Sequence, residues 1–293
     1  MRCWMREQRI LCSQVYQEVD IIPIKQVQSI RGKKTGRSSP AQQRLNDRNA
    51  ARHLNQLIAA NFVTGRCYLM DPTYKPEKEP TTMEEADRNL VNYLRRVKAM
   101  CKKRGLPNPK YIAVTEQAAH YHHHIIIECG LTRDELEDLW STGRGTRRER
   151  LGRVNCDVAQ PEHGALAARA RYMVKARRAT RRWRQSIGLK KPERKRPNDG
   201  KYTRRAIDRA IRSGEAYDPR YWESKYPTWL CSDIHIEYNP IDRAPYVRLT
   251  MWRPKSPYGA RPKVRKRSDR DGRRSNYQKP AAVRIGGIPV RGM

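Results

Sequence analysis

Four of the seven histidines of this chain fall in the run His120-Tyr121-His122-His123-His124, which leads directly into Ile125-Ile126-Ile127. Side chains alternate faces along a β-strand, so His122 and His124 share one side and His123 takes the other. Two imidazoles side by side on an apolar strand are costly unless they share a ligand, and the usual shared ligand is a metal ion. Glu116 closes a second strand-like run, Tyr111-Ile112-Ala113-Val114-Thr115-Glu116. A short hairpin would set its carboxylate beside the imidazole pair. Two nitrogens and one carboxylate oxygen with positions left open is the donor set of a catalytic metal centre. An affinity tag would sit at a terminus, and this run is internal. His120 shares the face of the pair but falls where the chain must turn, and His123 reads as structural.

A second group with chemical potential lies downstream. Across 162–178, Leu166, Ala170, Met173 and Val174 follow the i, i+4, i+7, i+8 spacing of a buried helical stripe. Tyr172 and Lys175 fall together on another face, three residues apart, where both can reach one point. A lysine beside a phenol favours the phenolate and can hold a phosphate or a leaving oxygen. The plain alternative is an exposed tyrosine on a basic helix that touches a nucleic-acid backbone.

These residues need a scaffold, and the rest of the chain supplies one. An apolar strand-like piece at 19–24 precedes a basic segment at 31–40, and 41–59 carries a helical pattern. Residues 66–70 read as a strand ended by Asp71-Pro72. Thr82 opens a helix as a capping box with Glu85, and Ala86, Leu90, Tyr93, Leu94 and Val97 form its apolar stripe. Gly105 stops that helix, after a last turn rich in cations. Strands follow at 110–116 and 121–129, a helix capped by Thr132, and a strand at 153–159. A Pro-punctuated basic linker is expected at 190–198, helices at 203–213 and 219–226, and a strand pair at 233–238 and 246–251. The fold class expected is α+β, a central antiparallel sheet with helices on its faces. The domain division expected is an N-terminal extension at 1–54, a main domain at 55–252 and a basic disordered tail at 253–293.

Composition bounds the partner. Lys and Arg number 63 against 30 Asp and Glu, a formal charge of +33. Such an excess attracts polyanions. Arginine dominates the clusters, in Arg144, Arg147, Arg148, Arg150 and Arg153 and again from Arg169 to Arg184, and its planar fork suits phosphate. Nucleic acid is the expected partner, ahead of an anionic membrane surface. No run of about 18 apolar residues is present, so no membrane span is expected. The N-terminus lacks the apolar core of a signal peptide. The seven cysteines include no C-x-x-C pair, which argues against a zinc finger and fits free thiols in a reducing cytoplasm.

Together, Tyr111-Ile-Ala-Val-Thr-Glu116, Tyr121-His-His-His-Ile-Ile-Ile127, the Leu-Trp-Ser-Thr-Gly at 139–143 and Arg171-Tyr-Met-Val-Lys175 resemble the HUH endonuclease superfamily. The likeness is greatest to the rolling-circle replication initiators of bacterial plasmids and phages. It spans about 55–185, and more loosely 185–252. The family's first motif, a Thr-rich strand end, corresponds to Leu69-Met-Asp-Pro-Thr-Tyr74, which departs from the pattern. The resemblance implies that Glu116, His122 and His124 hold Mg²⁺ or Mn²⁺, that Tyr172 is the nucleophile and that Lys175 assists. It implies nicking and rejoining of single-stranded DNA or an origin hairpin through a 5′-phosphotyrosine link, in the cytoplasm of a bacterial cell. The chain has no G-x-x-x-x-G-K-[ST] motif, so a host helicase would do the unwinding. Should Tyr172 not be the nucleophile, Tyr121 and Tyr74 are the substitutes. The rival readings are a non-catalytic nucleic-acid-binding protein, a conjugative relaxase and a single-strand transposase. A carboxylate in place of a third histidine and a mid-chain tyrosine argue against a relaxase, and the chain is long for the transposase.

Overall fold

The computed structural model describes residues 4–24, 39–62, 67–159, 173, 182–238 and 243–253. By its internal contacts the chain divides into a unit at 1–255 and a second at 256–293; the second lies outside the described residues, and with it the expected basic tail.

The first unit is α+β, as the sequence implies, and among its described residues all strand pairs are antiparallel. Its described residues form two large sheets. The one that carries the histidines has the order β8-β3-β5-β4-β9, built from β3 (Tyr68–Pro72), β4 (Lys110–Gln117), β5 (Tyr121–Glu128), β8 (Val154–Val158) and β9 (Arg184–Gln185). The other is formed by β1 (Trp4–Leu11), β2 (Tyr16–Pro23), β10 (Glu193–Arg194), β11 (Asn198–Thr203), β12 (Leu230–Tyr238) and β13 (Pro245–Trp252), with β2 held between β1 and β13. A small ribbon pairs β6 (Ser141–Thr142) with β7 (Glu149–Arg150).

Residues 4–23 are therefore no extension. The boundary expected at residue 54 fails because strand pairing is non-local: β2 pairs with β13 across more than two hundred residues, from Val247↔Ile21 to Trp252↔Tyr16. The expected linker at 190–198 likewise contributes edge strand, since Ile10 pairs with Arg194 and Glu7 with Asn198.

Helices fill the spaces around the sheets. Helix α1 (Pro40–Asn61) starts at Ser39, whose hydroxyl accepts from Gln42 N–H, with Pro40 in the first turn. Its Leu54, Leu57 and Ile58 pack with Ile10 and Tyr16 of one sheet and with Ile112, Val114 and Ile126 of the other, so α1 lies between the sheets. Helix α2 (Met83–Lys103) is capped by Thr82 and buries the predicted stripe plus Cys101. Gly105 ends it at φ 66°, a left-handed position that suits glycine. With α3 (Arg133–Asp138), which has the full Thr132/Glu135 capping box, α2 covers the outer face of the histidine sheet over Ile125, Ile127 and Trp140. On the far face of the other sheet, α4 (Arg204–Arg212) and α5 (Pro219–Lys225) pack on Met5, Val19, Ile21, Val247 and Leu249. The layer order is helices, sheet, α1, sheet, helices. Each fully buried Leu or Ile in these layers contributes about 1.5–3 kcal/mol.

Candidate metal centre

Hairpin register sets the geometry. Glu116 pairs directly with His122 and Val114 with His124, so Glu116 faces one imidazole and lies diagonal to the other. The turn is pinned from outside the sheet: Glu79 accepts from Tyr121 N–H at 3.1 Å and lies 2.9 Å from His120 Nδ1. His120 is thus tied to the turn and does not join the pair. Glu79 is held below the usual carboxylate range, first by His120 and then by Tyr121 N–H.

Glu116 Oε2 lies 3.0 Å from His124 Nε2 and 3.3 Å from His122 Nε2. The two rings stand nearly perpendicular, at 84° with centroids 4.9 Å apart. One ligand atom from each of the three residues falls within 4.8 Å of the others, and His124 is buried while the other two are half-buried. The remaining ring nitrogens both face oxygen acceptors. His122 Nδ1 is 3.2 Å from the His120 carbonyl, and His124 Nδ1 is 2.6 Å from Asp71 Oδ1. A carbonyl and a carboxylate only accept, so both Nδ1 atoms donate. In the neutral rings both Nε2 lone pairs then point at Glu116 Oε2, itself an acceptor. Three acceptors facing one point repel unless a positive charge sits among them. A proton satisfies two of them, whereas a divalent cation takes all three, and the set of two nitrogens and one oxygen suits such an ion.

Asp71 is a site residue that the histidine spacing does not reveal. The signal for it is its parity on β3: Leu69 and Asp71 share the face of Ile126 and the histidine pair, while Tyr68 and Met70 face α2. Between strand and helix, a close approach fixes the chain just past Asp71. Thr73 N–H donates to Arg153 O at 2.8 Å and Trp140 Nε1 to Thr73 O at 2.7 Å. A Cβ on Gly152 would lie 2.1 Å from Thr73 O, so only glycine fits there.

His123 is fully buried on the opposite face and is structural. Thr115 Oγ1 donates to Asp87 at 2.7 Å and so accepts from His123 Nδ1 at 3.1 Å; His123 Nε2 then accepts from Tyr74 OH at 2.8 Å. Burial lowers the His123 pKa to about 3, which keeps the ring neutral. Arg184 closes the chain on Asp87 at 2.7 Å. Tyr74 and the buried Tyr121 belong to this outer face, away from the Glu116 face. Burial also raises the Tyr74 pKa well above its ordinary value.

Tyr172 and Lys175 lie outside the described residues. Their chain neighbour Met173 is described: it is fully buried and packs in the cluster of Ile112, Val114, Ile126 and Leu57, on the Glu116/His122/His124 face. Of the arginines singled out above, Arg182 and Arg184 are bound to Asp47 and Asp87, and Arg150 to Asp138. Those serve the fold. Arg144, Arg147 and Arg153 are exposed. Among the described residues no helix is long and apolar enough to cross a membrane.

Comparison with protein-family models, with curated proteins and with solved structures finds no match.

Proposed function

We propose that this chain is a metal-dependent tyrosine endonuclease and strand transferase of the HUH type, which nicks and rejoins single-stranded DNA to start rolling-circle replication. The observation that carries the reading is the shared face: Met173, next in the chain to Tyr172, packs on the sheet surface that presents Glu116, His122 and His124.

Glu116, His122 and His124 would hold the Mg²⁺ or Mn²⁺ ion, with Asp71 fixing the His124 ring. When bound, the ion polarises a phosphodiester and gathers its charge. Tyr172, as phenolate, forms a new O–P bond in line with the departing 3′-oxygen. The P–O3′ bond breaks, the 5′-phosphate stays on the phenol oxygen, and the 3′-oxygen takes a proton. Lys175 favours the phenolate and is the nearest donor in sequence for that proton. Attack by the 3′-hydroxyl on the phosphotyrosine reverses the step and reseals the strand. Exposed arginines supply attraction for the strand, and unwinding falls to a host helicase.

Incubating the protein with single-stranded origin DNA and Mn²⁺, then running a denaturing gel, tests this. A protein–DNA band that survives SDS is expected in wild type and absent in Tyr172→Phe, after EDTA, and in the His122→Ala, His124→Ala double variant. DNA binding with no adduct under any metal would leave a non-catalytic nucleic-acid-binding protein.

A further inference from the structure

The charge of the chain is not confined to the neighbourhood of the metal centre. On α4, Ile207, Ala210 and Ile211 face inward. Arg205, Arg209 and Arg212 repeat at i, i+4 and i+7, so they stack along the outer face one turn apart, and all three are exposed. Arg204 by contrast bonds Asp208 at 3.6 Å. None of the other three has a carboxylate or hydrogen-bond partner among the described residues. Three aligned guanidinium groups left unneutralised on one helix repel each other, and an extended polyanion relieves that.

Two large aromatic side chains border the stripe. Tyr217, in the 3₁₀ turn just after α4, is 57% exposed, and Tyr238, at the end of β12, is 51% exposed. Both belong to the α4 side of their sheet: Ile234 and Ile236, four and two residues before Tyr238, pack into the cluster under α4 and α5. Arg204, at the start of α4, donates to the Arg243 carbonyl at 3.3 Å, and Tyr238 pairs with Pro245, two residues on from Arg243, which brings the helix to the end of the sheet where Tyr238 lies. Exposed tyrosines beside a row of arginines match what a single strand offers, phosphates at regular spacing and bases free to stack. A duplex offers the phosphates but hides the base faces.

We infer that the outer face of α4, with Tyr217 and Tyr238, is a second binding surface for single-stranded DNA, on the far side of the other sheet from the metal centre. It takes the same class of ligand as the proposed reaction but does not rest on that reaction's chemistry. A strand held there is kept by the protein while its other part lies at the Glu116 face.

The test is fluorescence anisotropy of the full chain with a labelled thymidine 30-mer over a salt series. The charge-reversed R205E/R209E/R212E variant should bind at least about tenfold more weakly at low salt, with the salt slope reduced by roughly 2, about 0.7 for each phosphate no longer neutralised. Y217A/Y238A should lose roughly tenfold on the 30-mer and keep its affinity for a duplex of the same length. The substituted side chains are all exposed, and an unchanged melting temperature separates weakened binding from a damaged fold. R205Q/R209Q/R212Q, which removes charge without reversing it, should show the same direction. Wild-type affinity and slope in both arginine variants would overturn the surface, and equal losses on single strand and duplex in the tyrosine variant would overturn the choice of ligand. The titrations are run in EDTA, where no adduct forms, so a failure of the nicking reaction leaves this result readable.

Discussion

His124 Nδ1 lies 2.6 Å from Asp71 Oδ1, and that hydrogen bond decides which nitrogen is left for a metal. Outer carboxylates of this kind typically alter metal affinity by about 10–100-fold. Asp71→Asn, which keeps the shape and removes the charge, is expected to weaken Mn²⁺ binding about tenfold by titration calorimetry; unchanged affinity would mean that Asp71 does not orient the ring. The His122→Ala, His124→Ala variant should show no measurable binding at the same concentrations. On the outer face, Thr115→Val removes the acceptor of the buried His123 N–H. An unmade buried donor costs about 1–3 kcal/mol, so a drop of that size in urea unfolding is expected, with metal affinity little changed. Glu116, His122 and His124 are legible in the sequence because strand alternation alone places them. Asp71 is not, because Pro72 and the departure from a Thr-rich motif make the end of β3 look like a mere stop.

Arg52, on α1, reaches across to Glu18 and Asp20 of β2, at 2.5 and 2.9 Å, and Glu18 also accepts from Gln56 at 2.8 Å and Tyr16 OH at 2.9 Å. This buried network fixes how the central helix sits on its sheet. Breaking a buried pair by removing one partner costs about 3–5 kcal/mol, because the other charge is left unpaired. Arg52→Ala is expected to lose about that much stability, whereas R52A/E18Q should recover part of it; a loss under about 1 kcal/mol, the range of exposed pairs, would show the pair to be solvated. The same network explains why β1 and the start of β2 are hard to read, while the apolar piece at 19–24 marks the rest of β2. Glu7, Gln17 and Glu18 are buried charges or amides, and they interrupt the apolar alternation by which strands announce themselves. Helices α2 and α3 are readable to the residue at their starts, since Thr82 and Thr132 bond the N–H groups of Glu85 and Glu135 as their spacing implies.

At the scale of the molecule, β2 is bonded on both edges, by β1 and by β13. Removing residues 1–24 takes a middle strand from the sheet and uncovers Val247, Leu249 and Met251. Such a chain is expected to lose cooperative thermal unfolding and to expose apolar surface to a hydrophobic dye. If it instead melts like the full chain, the N-terminal strands are dispensable after all. Pairing between the two ends of a sequence leaves no local trace, so this feature is invisible until the sheet is seen.

The claim on which the function rests is that the phenol of Tyr172 is the group that meets phosphate at the Glu116/His122/His124 face. Peptide mapping by mass spectrometry of the covalent product formed with single-stranded DNA and Mn²⁺ addresses it directly. The nucleotide mass is expected on the tryptic fragment Tyr172-Met173-Val174-Lys175. Nucleotide found on Tyr74 or Tyr121, or on no tyrosine while the strand is nevertheless cut, would contradict the account.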